Sequence, residues 1–139
     1  MRKSKLFIKH FFDRLFSLLV LALFSPLFSI IALILKTQGQ DIFYRQKRFG
    51  YLGESFKVYK FTTMPKGSEK LGIITTVDDE RPFKFGKFLR KTSLNEIPQL
   101  INVLKGEMSF VGPRPLVQID EFLEQDKIKK YYRMKPGIT

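Results

Sequence analysis

One long apolar run dominates the hydrophobic pattern of the chain. Residues 15–35 read LFSLLVLALFSPLFSIIALIL, 21 residues without a charged side chain. This length suffices for a helix that crosses a bilayer. A cleaved signal peptide fits poorly, because the run is longer than a signal-peptide core and is not followed by small cleavage-site residues. The run therefore predicts association with a membrane.

A Ser25-Pro26 pair interrupts this run. Proline removes a backbone hydrogen bond and clashes with the preceding turn, so it kinks or breaks a helix. Basic residues flank the run on both sides: Arg2, Lys3, Lys5, Lys9 and Arg14 before it, and Lys36, Arg45, Lys47, Arg48, Lys57 and Lys60 after it. Because Lys and Arg mark the cytoplasmic side of a membrane segment, this symmetry favours a re-entrant helix with both ends on the cytoplasmic face. A kinked transmembrane helix is the alternative.

The rest of the chain predicts a small α+β domain, mainly helical, with short strands and interfacial amphipathic helices. Residues 36–54 contain three glycines among polar residues and predict loops. Residues 55–64 (SFKVYKFTTM) predict a strand, and residues 72–77 a second short one. Residues 83–90 are basic and aromatic, which suits a membrane interface. We expect residues 1–36 to form the basic N-terminus and membrane helix, and residues 37–139 to form a domain on the cytosolic face.

A second helix is predicted near Leu94. Four apolar residues recur at i, i+3, i+4 and i+7: Ile97, Leu100, Ile101 and Leu104. Gly106 predicts the end of this helix. Ser93 and Glu96 have the spacing of a capping box, although Pro98 inside that box moves the expected start towards Ile97. Residues 118–134 predict a further, charged helix.

The charge balance restricts the choice of partner. The chain has 25 Lys and Arg against 13 Asp and Glu, a net charge of +12. This excess indicates a polyanionic partner: nucleic acid, anionic lipid or a phosphorylated substrate. Cysteine is absent and His10 is the only histidine, which excludes thiolate zinc sites and cysteine nucleophiles and argues against histidine-based triads. Acid–base or nucleophilic chemistry is left to carboxylates, Lys, Tyr and hydroxyl groups.

Asn95 and Glu96 are the candidate reaction centre, with two interpretations. Glu96 can simply cap the helix. Alternatively, the pair lies at a helix N-terminus, where free N–H groups and the helix dipole attract a phosphate. Adjacent helical residues point about 100° apart, so both could approach one phosphorus atom from different sides.

Three cations are candidates for binding phosphate. Arg90 lies five residues before Asn95. Arg114 stands between two prolines, whose fixed φ angles can position its guanidinium for bidentate phosphate binding. Lys60, near the end of the predicted strand, is the third. Each can also be an ordinary solvent-exposed side chain.

At this point the sequence shows a family resemblance. Residues 93–115, SLNEIPQLINVLKGEMSFVGPRP, resemble the signature of bacterial sugar transferases of the monotopic phosphoglycosyl transferase class, which usually begins SLDELPQL. The QKRFG block at residues 46–50, the block at residues 56–64, and Ser25-Pro26 in the re-entrant helix look like further parts of the family pattern. The resemblance extends from about residue 10 to Thr139, and an ordered set of motifs is far more specific than one short motif.

The resemblance implies a reaction and its location. Such enzymes transfer a sugar-1-phosphate from a UDP-sugar to undecaprenyl phosphate, release UMP and require Mg²⁺. This is the first step of lipid-linked polysaccharide and glycoconjugate assembly, on the cytoplasmic face of the bacterial inner membrane. An Asp forms a covalent phospho-sugar intermediate, and here its position is Asn95. Glu96 would be its partner near Mg²⁺, and Arg90, Arg114 and Lys60 would hold phosphates. Membrane lipids are expected partners, and a homodimer is compatible with the resemblance.

The sequence departs from the family pattern at Asn95. A neutral amide is a far weaker nucleophile than a carboxylate and offers Mg²⁺ no charged oxygen. We therefore expect an inactive variant, natural or engineered, or a mechanism in which Glu96 or another group serves. The family pattern also continues past PGIT, so we expect the catalytic domain to be truncated at its C-terminus.

Two other function classes compete with a transferase. A non-catalytic, membrane-anchored phosphate- or lipid-binding protein of the same fold is supported by Asn95. A nucleic-acid-binding domain would explain the charge, but the uncharged run and the lack of a recognised nucleic-acid motif argue against it. The sequence identifies neither the sugar nor the glycan.

Overall fold

The computed structural model describes residues 2–68, 80–117 and 125–139. They form a small α+β fold with five α-helices and one two-stranded sheet: α1 Arg2–Leu23, α2 Ser25–Thr37, β1 Phe43–Phe49, β2 Ser55–Phe61, α3 Lys84–Lys91, α4 Gln99–Lys105 and α5 Gln125–Tyr131. Short 3₁₀ turns lie at Tyr51–Gly53 and Leu94–Glu96. The chain divides into two compact units. The first unit comprises Met1–Ser25, Arg45–Tyr59 and Gln99–Thr139, and the second unit comprises Pro26–Tyr44 and Lys60–Pro98.

The apolar run is broken where Ser25-Pro26 predicts it. α1 ends at Leu23 and α2 begins at Ser25. Pro26 has no N–H to donate to the carbonyl of Ala22, four residues earlier. The Ser25 hydroxyl donates to this carbonyl instead, at 2.8 Å, so the break leaves it satisfied. In the part of the chain that is described, neither helix alone is long and apolar enough to cross a membrane. The pair passes that test of length and composition together, with a bend of 62°.

In the first unit, α1 has its polar side inwards. Lys9, Asp13 and Ser17 are spaced by four residues and therefore share one helix face. Ser17 is fully buried, and its hydroxyl donates to the carbonyl oxygen of Leu100 at 2.6 Å. Six large apolar side chains of α1 are between 57% and 75% exposed: Phe7, Phe11, Phe12, Phe16, Leu19 and Leu23. This is the reverse of the pattern on a surface helix of a water-soluble protein.

The core of the first unit lies between α4 and β2. Its buried apolar residues are Val58, Val103 and Met108. A fully buried amide, Asn102, joins the two elements. Its Nδ2 donates to the Lys57 carbonyl (2.8 Å) and to Glu107 Oε2 (2.7 Å), and its Oδ1 accepts from the Tyr59 amide (3.0 Å). Because every polar atom of the amide has a partner, its burial carries no desolvation penalty from an unpaired group.

The end of the chain also packs into the first unit. Ser109 and Gly137 form an isolated parallel bridge. Next to it, a Cβ atom on Gly112 would lie 2.2 Å from the carbonyl oxygen of Lys135. Only glycine allows the two backbones to approach this closely, which explains the glycine in the VGPRP motif.

The second unit has a separate apolar cluster. Its buried members are Ile31, Leu35, Phe61 and Leu89, from α2, β2 and α3. The Phe61 ring stacks on Phe43 with ring centroids 5.7 Å apart, and Phe28 meets it at 5.1 Å. This cluster positions the end of β2 and α3, from which the candidate site is built.

The expectation of loops at residues 36–54 was wrong, because β1 occupies Phe43–Phe49. Most residues of β1 are polar, and pairing with β2 stabilises the strand without an apolar pattern of its own. The strand predicted at residues 55–64 ends earlier, at Phe61. The strand predicted at residues 72–77 lies outside the described residues.

The helix predictions need smaller corrections. α4 buries Leu100 and Val103, whereas Leu104, predicted to lie on the apolar stripe, is 37% exposed. α4 ends at Lys105, as Gly106 predicts, and Gly106 has a φ of +81°. The basic, aromatic segment at 83–90 is largely α3. Of the charged helix predicted at residues 118–134, α5 covers Gln125–Tyr131, and residues 118–124 are outside the described ranges.

Candidate functional site

The candidate site lies in the second unit, at the end of β2, on α3 and at the turn Leu94–Glu96. Here Lys60 Nζ lies 2.5 Å from Glu96 Oε1. The side chains of Lys60 and Glu96 are 25% and 35% exposed, respectively, so the ion pair is partly open to solvent. Such a pair contributes at most about 1 kcal/mol to stability. Its position next to Asn95 is therefore more informative about chemistry than about folding.

Arg90, on α3, is held by a hydrogen bond to Thr63, which follows β2. The guanidinium Nε donates to Thr63 Oγ1 at 2.9 Å, and Thr63 is only 7% exposed. Because the guanidinium group is planar, a bond at Nε sets the direction of its remaining donors. The hydrogen bond to Thr63 therefore restricts the orientation of the Arg90 guanidinium.

Gly86 brings α3 close enough for that bond. It lies one helical turn before Arg90, and a Cβ atom there would be 2.2 Å from the carbonyl oxygen of Thr63. A contact this short cannot be accommodated, and glycine in a helix interior costs up to about 1 kcal/mol relative to alanine. The close approach of α3 to the residues after β2 explains why glycine is present.

The turn that carries Asn95 and Glu96 differs from the predicted cap. Ser93 has a left-handed backbone conformation (φ 58°, ψ 8°), and its side chain makes no capping hydrogen bond, so the capping-box prediction was wrong. The Glu96 amide donates to the Ser93 carbonyl at 3.1 Å. Pro98 has no N–H for the helical pattern, and α4 begins only after it, at Gln99.

This placement also corrects the helix-dipole argument. Asn95 and Glu96 lie in a separate 3₁₀ turn before α4, not in the first turn of that helix. The amides of Glu96 and Ile97 are already bonded within the turn. Attraction of a phosphate at this site therefore falls to the cationic side chains.

The residues that could hold a metal ion are few. Among the described residues, no group of three or more His, Asp or Glu side chains is arranged to hold one. Mg²⁺ is often bound through one or two carboxylates together with substrate phosphates. Glu96 supplies one carboxylate, of which one oxygen contacts Lys60. The residues present would offer Mg²⁺ one carboxylate ligand, that of Glu96, so its other ligands would have to come from a bound substrate or water.

Arg114 belongs to the first unit, and its side chain is exposed. Its backbone is held by Tyr132, which is fully buried. The Tyr132 hydroxyl donates to the Arg114 carbonyl at 2.8 Å and accepts from the Leu116 amide at 2.6 Å. Burial raises the pKa of Tyr132, so the hydroxyl remains a donor at neutral pH. The backbone around Arg114 is thus fixed by its two neighbouring prolines and by Tyr132, the residue after α5.

Sequence reasoning missed Thr63, Gly86 and Tyr132. A glycine inside a basic, aromatic, helix-forming segment is a recognised indication of close packing, so Gly86 had a usable signal. Thr63 lies in the block at residues 56–64 that resembles the family pattern, but its contact with Arg90 could not be predicted, because it depends on where α3 packs. Tyr132 was hidden in a stretch that reads as a charged helix.

Comparison with known proteins gives consistent results. Residues 4–139 match the model of the bacterial sugar transferase family. The exopolysaccharide production protein ExoY of Rhizobium meliloti is 40% identical, over 94% of this chain and 66% of that protein. The undecaprenyl-phosphate galactose phosphotransferase of Salmonella typhimurium is 36% identical, over 99% of this chain and 32% of that protein. The UDP-glucose:undecaprenyl-phosphate glucose-1-phosphate transferase of Escherichia coli is 42% identical, over 91% and 28%. The chain spans less than two thirds of the length of these relatives.

Proposed function

The chain belongs to the bacterial sugar transferase family, and on this premise we propose that it is a phosphoglycosyl transferase of membrane-bound glycan assembly. The donor is a UDP-sugar, the acceptor is undecaprenyl phosphate, and UMP is released. Both substrates occur in the name of the Escherichia coli relative, and the acceptor also occurs in that of the Salmonella typhimurium relative. Two anionic substrates suit a chain with a net charge of +12.

The observation that carries this proposal is the ion pair of Lys60 with Glu96, the residue next to position 95. Lys60 and Glu96 are in contact at 2.5 Å, and Arg90 is held by Thr63 at 2.9 Å. Catalysis of phosphoryl transfer depends mainly on positioning and on cations that stabilise the transferring group. We assign Arg90 and Lys60 to the diphosphate oxygens, and Arg114 stays a predicted phosphate-binding residue of the first unit.

Glu96 has a second role in this proposal. It holds Lys60 in place, and its carboxylate would be the residue that supplies one ligand to Mg²⁺. Bound Mg²⁺ would neutralise charge on the diphosphate. The contact with Lys60 restricts the orientation of the Glu96 carboxylate.

Position 95 determines whether the covalent step runs. In the mechanism that the family resemblance implies, a carboxylate oxygen bonds to the β-phosphorus while the bond from that phosphorus to the departing UMP oxygen breaks. The phosphate oxygen of undecaprenyl phosphate then displaces the carboxylate. The neutral amide of Asn95 is a poor nucleophile for the first displacement. We therefore propose that this chain keeps the phosphate-binding groups and lacks efficient turnover.

The inverted face pattern of α1 supports a membrane location. Lys9, Asp13 and Ser17 bond to other parts of the first unit, whereas the large apolar residues of α1 are exposed, which suits contact with lipid. We propose that α1 and α2 enter the cytoplasmic leaflet as a re-entrant pair, with both basic flanks on the cytoplasmic face of the inner membrane. The hydroxyl of Ser25, bonded to the Ala22 carbonyl, lowers the cost of the break in an apolar environment.

A non-catalytic phosphate- or lipid-binding protein is the second candidate, and Asn95 is the observation that favours it. UMP release in detergent, with undecaprenyl phosphate, Mg²⁺ and a panel of UDP-sugars, separates the two. The proteins are the parent, Asn95→Asp, and Asn95→Asp combined with Glu96→Gln. We expect UMP from Asn95→Asp only, and a phospho-sugar adduct on that variant when the acceptor is withheld.

Two other outcomes would contradict this assignment. UMP release by the parent, with an adduct at Glu96, would make Glu96 the nucleophile and overturn the assignment of position 95. If no version releases UMP with any sugar while all bind UDP-sugar, the binding-protein function replaces the transferase.

A further inference from the structure

A polar cluster surrounds Asp13 on the inward face of α1. Lys9 Nζ lies 3.0 Å from Asp13 Oδ2, and the Ser109 hydroxyl donates to the same oxygen at 2.6 Å. Lys9 also donates to Ser109, which is 1% exposed. His10 Nδ1 lies 3.6 Å from the same carboxylate oxygen. The charge of Asp13 is therefore already compensated by its own neighbours.

The positive charges near Asp13 outnumber its single negative charge. Burial lowers the pKa of Lys135, and the nearby Arg14 and Lys9 lower it further, against the opposing effect of Asp13. The Arg14 guanidinium packs against Gly106 at the end of α4, where a Cβ atom would collide with it. Lys9 pairs with Asp13, and Lys135 interacts electrostatically with Asp13, Lys9 and Arg14, so three cations lie in a region with one carboxylate. The cluster has a local excess of positive charge that a single anion would relieve.

An apolar groove of about 460 Å³ begins at the same carboxylate. Asp13 lines one end, and the other described residues that line it are apolar: Phe12, Leu15, Phe16, Leu19 and Phe110. The Phe110 ring meets Phe16 edge-on, with centroids 5.6 Å apart, and forms the wall opposite the helix. The volume is in the range of sites that hold small molecules.

We propose that the groove and the cation cluster bind one anionic phospholipid. Its headgroup phosphate lies against Arg14 and Lys135, and one acyl chain lies along α1 from Phe12 towards Leu19. Charge complementarity selects the anionic headgroup, and the apolar groove selects an acyl chain over a free phosphate or a nucleotide. All these residues belong to the first unit, and binding needs neither Asn95 nor turnover, so the proposal goes beyond the proposed catalytic function.

Lipid binding can be measured on the whole chain in dodecyl maltoside. Native mass spectrometry counts bound lipids while phosphatidylglycerol, phosphatidylethanolamine or undecaprenyl phosphate is titrated, and inorganic phosphate is added as a competitor. We expect one phosphatidylglycerol per chain, at least tenfold weaker binding of phosphatidylethanolamine, and no displacement by inorganic phosphate at equal concentration. Undecaprenyl phosphate should not compete for this site.

Matched variants test each half of the site. Lys135→Met should weaken phosphatidylglycerol binding about tenfold, whereas Lys5→Met, which removes an exposed charge from α1, should change it less than twofold. Leu19→Phe should weaken binding by filling the groove. Leu18→Phe, at an equally exposed position that does not line the groove, should leave binding unchanged.

A stability measurement distinguishes lost binding from misfolding. Without lipid, Lys135→Met should melt at or above the temperature of the parent, because it removes repulsion from Arg14 and Lys9. Equal losses in Lys135→Met and Lys5→Met, or in Leu19→Phe and Leu18→Phe, would overturn the proposal in favour of unspecific adsorption. Displacement of phosphatidylglycerol by inorganic phosphate would reduce the site to a simple anion site. Competition by undecaprenyl phosphate would make it part of a substrate site instead.

Discussion

Gly86→Ala tests the packing that holds the candidate site together. The added Cβ atom would lie 2.2 Å from the Thr63 carbonyl oxygen, whereas an ordinary contact begins near 3.4 Å, so α3 would have to retreat by the difference, about 1.2 Å. Overpacking of this kind costs about 3 kcal/mol. Alanine regains about 1 kcal/mol through its higher helix propensity. The expected net loss of about 2 kcal/mol corresponds to a melting temperature lower by roughly 4–10 °C.

Calorimetry in detergent measures this change directly, and Lys87→Ala is the matched control. Lys87 is the next residue on α3 and is exposed, so its replacement should alter the free energy of unfolding by no more than about 0.5 kcal/mol. Adding Thr63→Ala to Gly86→Ala should not rescue stability, because the collision is with backbone atoms. If Gly86→Ala melted at or above the temperature of the parent, helix propensity would outweigh the contact, and the inferred close approach of α3 would be refuted.

Three further predictions concern single side chains, the first two measured as UMP release in the background that restores a carboxylate at position 95. Thr63→Val removes the oxygen that accepts from the guanidinium on α3, and should raise KM for the UDP-sugar more than it lowers kcat, with little loss of stability; an unchanged KM would contradict the positioning role. Lys60→Gln should lower UMP release at least tenfold while the melting temperature stays within a few degrees, because the ion pair with Glu96 is partly exposed; equal losses of activity and stability would indicate a structural role. Burial raises the pKa of Tyr132 above its ordinary value of 10.0, so the folded state retains this proton longer than the unfolded state. Ionisation of this group should therefore leave the free energy of unfolding independent of pH below about 10. The free energy of unfolding should then fall as the pH rises through the folded pKa. Tyr132→Phe should lack that part of the alkaline slope in calorimetry, and an identical slope would contradict the assignment.

Features with a local cause could be predicted from the sequence. The break at Ser25-Pro26 follows from one missing N–H group, and the end of α4 follows from a glycine that tolerates positive φ. By contrast, β1 has mostly polar residues, and it becomes a strand because β2 pairs with it. The capping box at Ser93 failed because the backbone there is left-handed, a conformation that residue spacing does not reveal.

The candidate site was predictable in composition and not in geometry. Lys60, Arg90 and Glu96 were identified by residue type and motif. Their contacts depend on packing across long stretches of sequence: Lys60 and Glu96 are 36 residues apart, and Arg90 reaches Thr63 across 27. The contact of Thr63 with Arg90 could be identified only from the packing of α3 against Thr63.

The inward polar face of α1 also constrains how the protein is made. Ser17 finds its partner 83 residues later in the chain, and Lys9 contacts Ser109 across 100 residues. At roughly 5–20 residues per second, a ribosome needs on the order of 5–20 s to synthesise that interval. During this time the apolar side chains of α1 have already been synthesised. The residues that bond to its polar side chains, Leu100 and Ser109, have not. If α1 enters the membrane as proposed, the first unit can complete its packing around α1 only late in synthesis. A nascent chain stopped before residue 100 should remain extractable from membranes by milder conditions than the completed protein.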